Sequence, residues 1–199
     1  MESRPSMMKA MHHFSSLYLR RKPVLLLLLA CLWPLSLKAE PQQYKLQQVK
    51  TAILFNIAKF VRWPETSISQ SPDYLTICHY RENTLSPAFQ SIYGKRAQHR
   101  IVNDKLIDTL AEADQCAMLF IPLAQLRAFT EDQTHHGPLP VLTIADLTQS
   151  YSIESSDSRA AVNLIRQGSR IGLDIYLPEV TRNGLTISSE LLKLARIRR

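Results

Sequence analysis

The chain has 199 residues and a formal net charge of +7, but this charge is concentrated at its amino-terminal end. Residues 1–39 hold six Lys or Arg and one acidic residue, so that residues 40–199 keep 18 basic and 16 acidic residues. A body so nearly neutral, with no basic stripe alternating with aromatic residues, argues against nucleic-acid binding. A last basic group at Arg196, Arg198 and Arg199 predicts a solvated tail.

The first 39 residues have the layout of a secretory signal peptide. A basic cluster at Arg20–Lys22 precedes a largely apolar run over residues 24–37, after which polar residues return. The apolar run is shorter than the roughly 20 residues that a membrane-spanning helix needs, and Pro34 interrupts it. We therefore predict a signal peptide over residues 1–39 and export of residues 40–199 as one domain.

Two kinds of processing compete at the end of this leader. Cleavage after Ala39 leaves a soluble exported protein, although Leu37 is larger than the small residue usually found at its position. Leu28–Cys31 resembles a lipobox, which would place a lipid on Cys31, but the apolar run continues beyond this cysteine. We predict the soluble form and keep the lipoprotein and an uncleaved anchor as alternatives.

Residues 44–62 predict an amphipathic helix. Apolar residues recur at three- and four-residue spacing and make one face, namely Leu46, Val49, Ile53, Ile57 and Phe60. Trp63-Pro64 ends the helix, because the residue before a proline is pushed away from helical angles. The polar side carries Gln48, Asn56, Lys59 and Arg62.

The rest of the chain alternates between strand-like and helix-like segments. Strands are predicted over residues 74–79, 99–103, 116–121, 141–144, 161–165 and 170–176. Helices are predicted over residues 86–93, 106–113, 122–129 and 191–196, and an exposed loop over residues 131–138. Gln167-Gly168 predicts a turn that makes a hairpin of the last two strands. This order predicts a single layered α/β domain, whose largely parallel sheet is flanked by helices and has an antiparallel edge hairpin.

Two cysteines, Cys78 and Cys116, remain once the leader is removed. In an oxidising compartment an even pair of cysteines predicts a disulfide. Closing this loop would stabilise the fold by about 3–4 kcal/mol in the chain-entropy model. The alternative is a pair of buried, reduced thiols in neighbouring strands.

The usual catalytic signatures are missing from the sequence. It contains no Gly-x-Ser-x-Gly elbow, no Walker loop and no Gly-x-Gly-x-x-Gly. His135-His136 has no further ligand at metal-site spacing, and Cys78 and His79 point to opposite faces of a strand. Asp146 follows a buried strand, where a turn or capping role is favoured over a functional one. We therefore predict no enzymatic activity, no metal and no cofactor.

These segments, taken in order, resemble the YfiR-like family. The resemblance covers nearly all of residues 44–197. It is carried by residues 44–64 (YKLQQVKTAILFNIAKFVRWP), Ile77-Cys78, Gly94-Lys95, residues 116–121 (CAMLFI), residues 140–146 (PVLTIAD) and residues 184–196 (GLTISSELLKLAR).

The resemblance implies a periplasmic negative regulator that binds the periplasmic sensor part of an inner-membrane diguanylate cyclase. Such a regulator represses cyclic di-GMP synthesis, and with it biofilm formation, until an outer-membrane lipoprotein sequesters it. The family also implies a homodimer and redox sensitivity through disulfides, and Cys78 and Cys116 match one such pair by position. This chain lacks the second cysteine pair that some members carry near residues 151–158, and Arg159-Ala160 stands where the family tends to have Gly-Gly.

The polar face of the first helix, with Lys59, Arg62 and Trp63, is the predicted partner contact. An exposed aromatic residue beside arginine suits a protein interface. The alternative is a solvated face with Trp63 packed inward. A rival function from another class is a periplasmic small-molecule-binding sensor component, because a doubly wound sheet offers a ligand crevice at its strand ends.

Overall fold

Helix α1 (Glu40–Phe60) opens the part of the chain that the computed structural model describes, which comprises residues 40–64, 72–150 and 157–199. The predicted signal peptide, its cleavage point at Ala39 and the alternative lipid site at Cys31 lie outside these residues. The helix predicted over residues 44–62 is present, and it ends two residues earlier than expected.

The described residues contain ten strands, three further α-helices and three short 3-10 helices. The strands are β1 (Val61–Arg62), β2 (Tyr74–Tyr80), β3 (Arg96–Ala97), β4 (Arg100–Ile107), β5 (Met118–Ile121), β6 (Leu142–Leu147), β7 (Val162–Gln167), β8 (Arg170–Tyr176), β9 (Thr186–Ile187) and β10 (Ala195–Arg198). The α-helices are α2 (Leu126–His136), α3 (Leu177–Arg182) and α4 (Ser189–Leu192). The 3-10 helices cover Ala88–Ser91, Leu110–Gln115 and Leu123–Gln125.

Eight of these strands form one sheet, in the order β10-β8-β7-β6-β5-β2-β4-β3. The five central strands β7, β6, β5, β2 and β4 run parallel to one another. Strands β7 and β8 form the predicted antiparallel hairpin, and Gly168 takes a left-handed φ of +60° in its turn. The predicted α/β domain with a largely parallel sheet is confirmed, and a separate antiparallel pair joins β1 to β9.

Two buried clusters lie on the opposite faces of this sheet. Helix α1 and the 3-10 helix at Ala88–Ser91 pack on one face, and α2 and the 3-10 helix at Leu110–Gln115 pack on the other. Strand β5 contributes Met118 and Phe120 to the first cluster and Leu119 and Ile121 to the second. The continuous apolar run at residues 116–121 is typical of a strand buried on both faces, and this is how β5 packs.

The buried face of α1 differs from the predicted one. Val49 is 48% exposed, and Leu46, Ile53 and Phe60 are half-buried. The predicted Ile57 is buried, and the rest of the buried stripe follows Lys50, Thr51, Leu54 and Ala58. Hydrophobicity alone placed the other positions wrongly, because Lys50 and Thr51 are polar residues that the fold buries.

Two predicted boundaries are wrong for reasons of tertiary contact. Leu106 was expected to begin a helix, but it belongs to β4, which pairs with β2 over residues 101–107. Residues 131–138 were expected to form a loop, but α2 continues to His136. Gln133 is buried in this continuation and donates a hydrogen bond to the Glu179 carboxylate at 3.1 Å.

The carboxyl-terminal segment also corrects two predictions. The final helix stops at Leu192, and residues 195–198 form β10, which pairs in parallel with β8. Ser188 caps the short helix by accepting a hydrogen bond from the Leu191 backbone N–H. Arg196 and Arg198 are not part of a solvated tail, because both pair with the fully buried carboxylate of Asp174.

Candidate functional site

The predicted partner contact lies where α1 passes into β1. Lys59 and Arg62 are exposed, and the Lys59 ammonium lies 4.3 Å from the centre of the Phe55 ring. Trp63 is only 9% exposed. Its indole Nε1–H donates to the carbonyl oxygen of Ala117 at 2.7 Å, and the Arg100 guanidinium lies 5.0 Å from the ring centre. Of the two alternatives for Trp63, the structure therefore shows the packed one, and only Lys59 and Arg62 present themselves to a partner.

Cys78 and Cys116 are joined by a disulfide, with their Cα atoms 5.7 Å apart. Cys78 lies in the middle of β2, and Cys116 lies two residues before the start of β5, the strand next to β2. Cys78 is fully buried and Cys116 is 3% exposed. The bridge therefore ties together two segments that the sheet already holds side by side, and a reductant reaches it only when the domain opens locally.

The disulfide and the predicted partner contact meet at Ala117. This residue follows Cys116, and its carbonyl oxygen accepts hydrogen bonds from Trp63 Nε1 and from the Leu142 backbone N–H at 3.0 Å. Its own N–H donates to the Thr76 carbonyl at 2.9 Å. The end of α1 is thus anchored on the residue next to the bridge, at the amino-terminal end of β5.

The opposite end of α1 covers a crevice at the carboxyl ends of the parallel strands. After β2 the chain turns toward the face that carries α1, where Leu85 and Phe89 pack, whereas after β5 it turns toward the other face, where Leu126 packs. Neighbouring strands whose connections leave to opposite faces form the topological switch point of a doubly wound sheet, where ligands usually bind. A cavity of about 170 Å³ lies at this point.

A buried ion pair forms part of the wall of this crevice. The Lys50 ammonium on α1 donates to Asp146 Oδ2 at 2.5 Å, and both side chains are nearly buried. The other carboxylate oxygen, Oδ1, accepts from the backbone N–H of Thr148 at 3.1 Å and from its hydroxyl at 2.7 Å. Asp146 therefore makes the turn contact that its position predicts. It also pairs with Lys50, a residue that the apolar pattern of the helix does not predict to be buried.

Lys50 could have been found from one signal in the sequence. It stands four residues before Leu54, in the row that continues to Ile57 and Ala58. A lysine in line with buried apolar residues is either lifted to solvent or paired with a buried carboxylate. Lys50 is paired with a buried carboxylate only because the fold places Asp146, 96 residues later in the chain, beside it.

His79 is a buried histidine on the α1 face of β2. Its ring lies edge-on to Phe89 and Phe120, at centroid distances of 5.3 and 6.2 Å, and neither ring nitrogen has a hydrogen-bond partner. Burial lowers the pKa of His79 from 6.5 to about 4. Cys78 packs on the opposite face, which confirms that the two side chains diverge.

The adjacent histidines predicted to bind no functional metal, His135 and His136, lie exposed in the last turn of α2. Within the described ranges no three His, Cys, Asp or Glu side chains come together as a metal-binding group.

Comparison with known proteins identifies a family for nearly the whole α/β domain. The sequence model of a family described as YfiR/HmsC-like matches residues 47–196. The matched segment holds both cysteines, the end of α1 with Lys59, Arg62 and Trp63, and the ion pair of the crevice. No curated protein matches the chain.

Proposed function

The chain belongs to the YfiR/HmsC-like family, and from this membership we propose that it is a periplasmic negative regulator that binds the periplasmic part of an inner-membrane diguanylate cyclase and represses cyclic di-GMP synthesis. The observation that carries the proposal is the family match over residues 47–196, nearly the whole α/β domain. The family consists of periplasmic regulators of diguanylate cyclases rather than enzymes. Among the described helices none has both the length and the apolar character to cross a bilayer.

The regulator acts by favouring one state of the cyclase. Binding shifts the cyclase toward its inactive arrangement only if the regulator has a higher affinity for that arrangement than for the active one. A tenfold bias requires a difference in binding free energy of about 1.4 kcal/mol. The signal peptide over residues 1–39, with cleavage after Ala39, delivers the domain to the compartment where the sensor part of the cyclase is exposed.

Lys59 and Arg62 form the contact surface in this proposal. Both are exposed cations at the end of α1, and neither makes an ion pair with a carboxylate of the described residues. Exposed cations at an interface mainly speed association and select partners of opposite charge. The fitting partner surface is therefore an acidic patch on the periplasmic part of the cyclase, and Trp63 acts from beneath by fixing the position of the helix end.

The Cys78–Cys116 bridge gives the regulator a redox dependence in this proposal. The intact bridge keeps the domain folded, and reduction lowers its stability and releases the cyclase. The burial of both sulfur atoms makes reduction follow local opening, so that release is slow under native conditions. A Cys78→Ser variant that represses as well as the wild type, with an unchanged melting temperature, would remove this step from the proposal.

Two further partners belong to the proposal through family resemblance. The first is an outer-membrane lipoprotein that sequesters the regulator, and the second is another copy of the chain in a homodimer. Crosslinking in intact cells, followed by identification of the captured proteins, tests both.

The experiment that tests the proposed function is the cellular level of cyclic di-GMP in the native host with this gene deleted and then restored. A rise on deletion that returns to baseline on restoration supports repression of a cyclase. No change, under conditions in which cyclases with periplasmic segments are expressed, contradicts it.

A second candidate function is a periplasmic small-molecule-binding sensor component. The crevice at the switch point of the sheet favours it. Unchanged cyclic di-GMP on deletion, together with saturable binding of a small molecule to the purified protein, would select this function over the first.

A further inference from the structure

The crevice beneath the first half of α1 combines charges of both signs. Three ionisable side chains line it, namely Lys50, Asp146 and Glu82. The Lys50 ammonium has three N–H donors, and Asp146 is its one hydrogen-bond partner in the described part of the chain. The ammonium is nearly buried but lies in the wall of the open crevice, so its remaining donors are available to an acceptor that enters the crevice.

Glu82 supplies a negative charge at the other side of the crevice. It lies exposed in the segment that follows β2, and its carboxylate makes no ion pair within the described ranges. The crevice therefore presents N–H donors at its buried side and an available carboxylate at its exposed side. A group of each charge on one small molecule would satisfy both.

The charge balance separates this class of ligand from simple ions. Asp146 already neutralises Lys50, so an anion alone gains little from the lysine and is repelled by Glu82. A cation alone makes no use of the Lys50 donors. Apolar side chains of Leu46, Leu85 and Leu123 would contact a short carbon chain between the two charges. The wall also contains uncharged polar residues, namely Gln43, Gln47, Thr84 and Gln149.

From these contacts we propose that the crevice binds a small zwitterion, with its carboxylate on Lys50 and its ammonium facing Glu82. The cavity of about 170 Å³ limits the ligand to a small molecule. The site lies at the opposite end of α1 from Lys59 and Arg62, so it is separate from the proposed partner contact. The proposal does not depend on repression of a cyclase, because binding is measured on the regulator by itself.

Calorimetry on the processed protein purified from its native host tests the site. The probes are three zwitterions of increasing charge separation, glycine, β-alanine and γ-aminobutyrate, and two single-charge analogues, propionate and propylammonium. The expected result is saturable one-to-one binding of at least one zwitterion, at least about tenfold tighter than binding of either analogue. Equal binding of propionate or propylammonium, or no binding of any probe up to about 10 mM, would overturn the proposal.

Variants locate the binding in the crevice. Glu82→Gln is expected to weaken binding of the zwitterion by at least about tenfold, because it removes the counter-charge for the ammonium. Lys50→Gln is expected to weaken binding of the zwitterion similarly. It also leaves the Asp146 carboxylate without its cation, so if this variant does not fold, the result for Glu82→Gln decides whether the ligand binds in the crevice. Glu190→Gln changes another exposed glutamate in the same way and is expected to bind like the wild type. Binding that is unaffected by Glu82→Gln would refute the site.

Discussion

The indole N–H of Trp63 donates to the carbonyl oxygen of Ala117 at 2.7 Å, across 54 residues of sequence. Ala117 is the neighbour of Cys116, so this hydrogen bond links the end of α1 to the disulfide. The full chain has two tryptophans, Trp33 and Trp63, and only the second remains after cleavage at Ala39. The fluorescence of Trp63 therefore reports on the segment that joins the bridge to the proposed partner contact.

Removal of the disulfide is expected to destabilise the domain without changing its fold. Cys78→Ala with Cys116→Ala should lower the free energy of unfolding by about 3–4 kcal/mol, because the unfolded chain gains the entropy of an open loop of 38 residues. Urea titration followed by Trp63 fluorescence measures this loss. The double variant must be insensitive to a reductant, whereas the wild type must lose the same stability in its presence. A wild type whose urea midpoint is the same with and without reductant contradicts a stabilising bridge.

The bridge is also expected to be reduced slowly in the native state. Both sulfur atoms are buried, so the appearance of free thiols after addition of dithiothreitol, followed by alkylation and mass spectrometry, should match the rate of local opening and become independent of reductant at high concentration. A rate that rises in proportion to dithiothreitol at all concentrations would show that the bridge is accessible.

Charge reversal at the end of α1 is expected to relieve repression. Lys59→Glu with Arg62→Glu should weaken binding to an acidic cyclase surface by at least about tenfold and raise cyclic di-GMP toward the level of the deletion strain. Arg166→Glu with Arg170→Glu is the matched control, because it also reverses two exposed cations, at the turn of the β7–β8 hairpin, that make no ion pair with a described residue. Both proteins should melt like the wild type. Full repression by the double variant would show that the partner binds elsewhere.

His79 is expected to make the domain less stable in mild acid. Its pKa is about 4 in the folded state against 6.5 in the unfolded state, so below pH 6.5 the unfolded chain binds a proton that the native state does not. Stability should therefore fall as pH falls from about 6.5 toward about 4, and the loss due to His79 between pH 7 and pH 5 is about 2 kcal/mol.

The comparison that isolates this effect uses His79→Phe, which fills the space between Phe89 and Phe120 without titrating. Urea midpoints of both proteins at pH 7 and pH 5 give the two pH dependences. The wild type should lose more stability than the variant. Equal losses would show that Asp104, 3.7 Å from Nε2, compensates the charge of protonated His79.

The carboxyl-terminal strand is expected to depend on its two arginines. Arg196 Nε and Arg198 Nε each lie 2.9 Å from a carboxylate oxygen of Asp174, which is fully buried. Replacing both arginines by Gln should cost about 2–3 kcal/mol, because a buried carboxylate then loses two cationic partners, one of which is largely exposed. Chemical denaturation measures the loss. Arg199→Gln, at the next position, should be neutral, and an equal effect of this control would argue against the ion pairs.

Local sequence pattern was sufficient to predict those elements whose conformation is determined by their own residues. Residues 116–121 are apolar throughout and contain the strand Met118–Ile121, which is buried on both faces. Gln167-Gly168 forms the hairpin turn, and Ser188 caps a helix. The alternation of these elements is enough to predict an α/β domain, because parallel strands need crossover connections. The presence of two cysteines in the exported domain likewise predicted the Cys78–Cys116 disulfide.

Tertiary structure alone decided which polar side chains are buried and what they contact. Lys50 reads as a solvent-facing lysine until Asp146 reaches it, and Trp63 reads as exposed or packed until Ala117 accepts its N–H. Residues 195–198 continue a helical pattern, yet they form a strand, because β8 offers them a free edge and Asp174 two ion pairs. Such contacts join residues 22 to 96 positions apart, and no short stretch of sequence contains both partners of the bond that stabilises it.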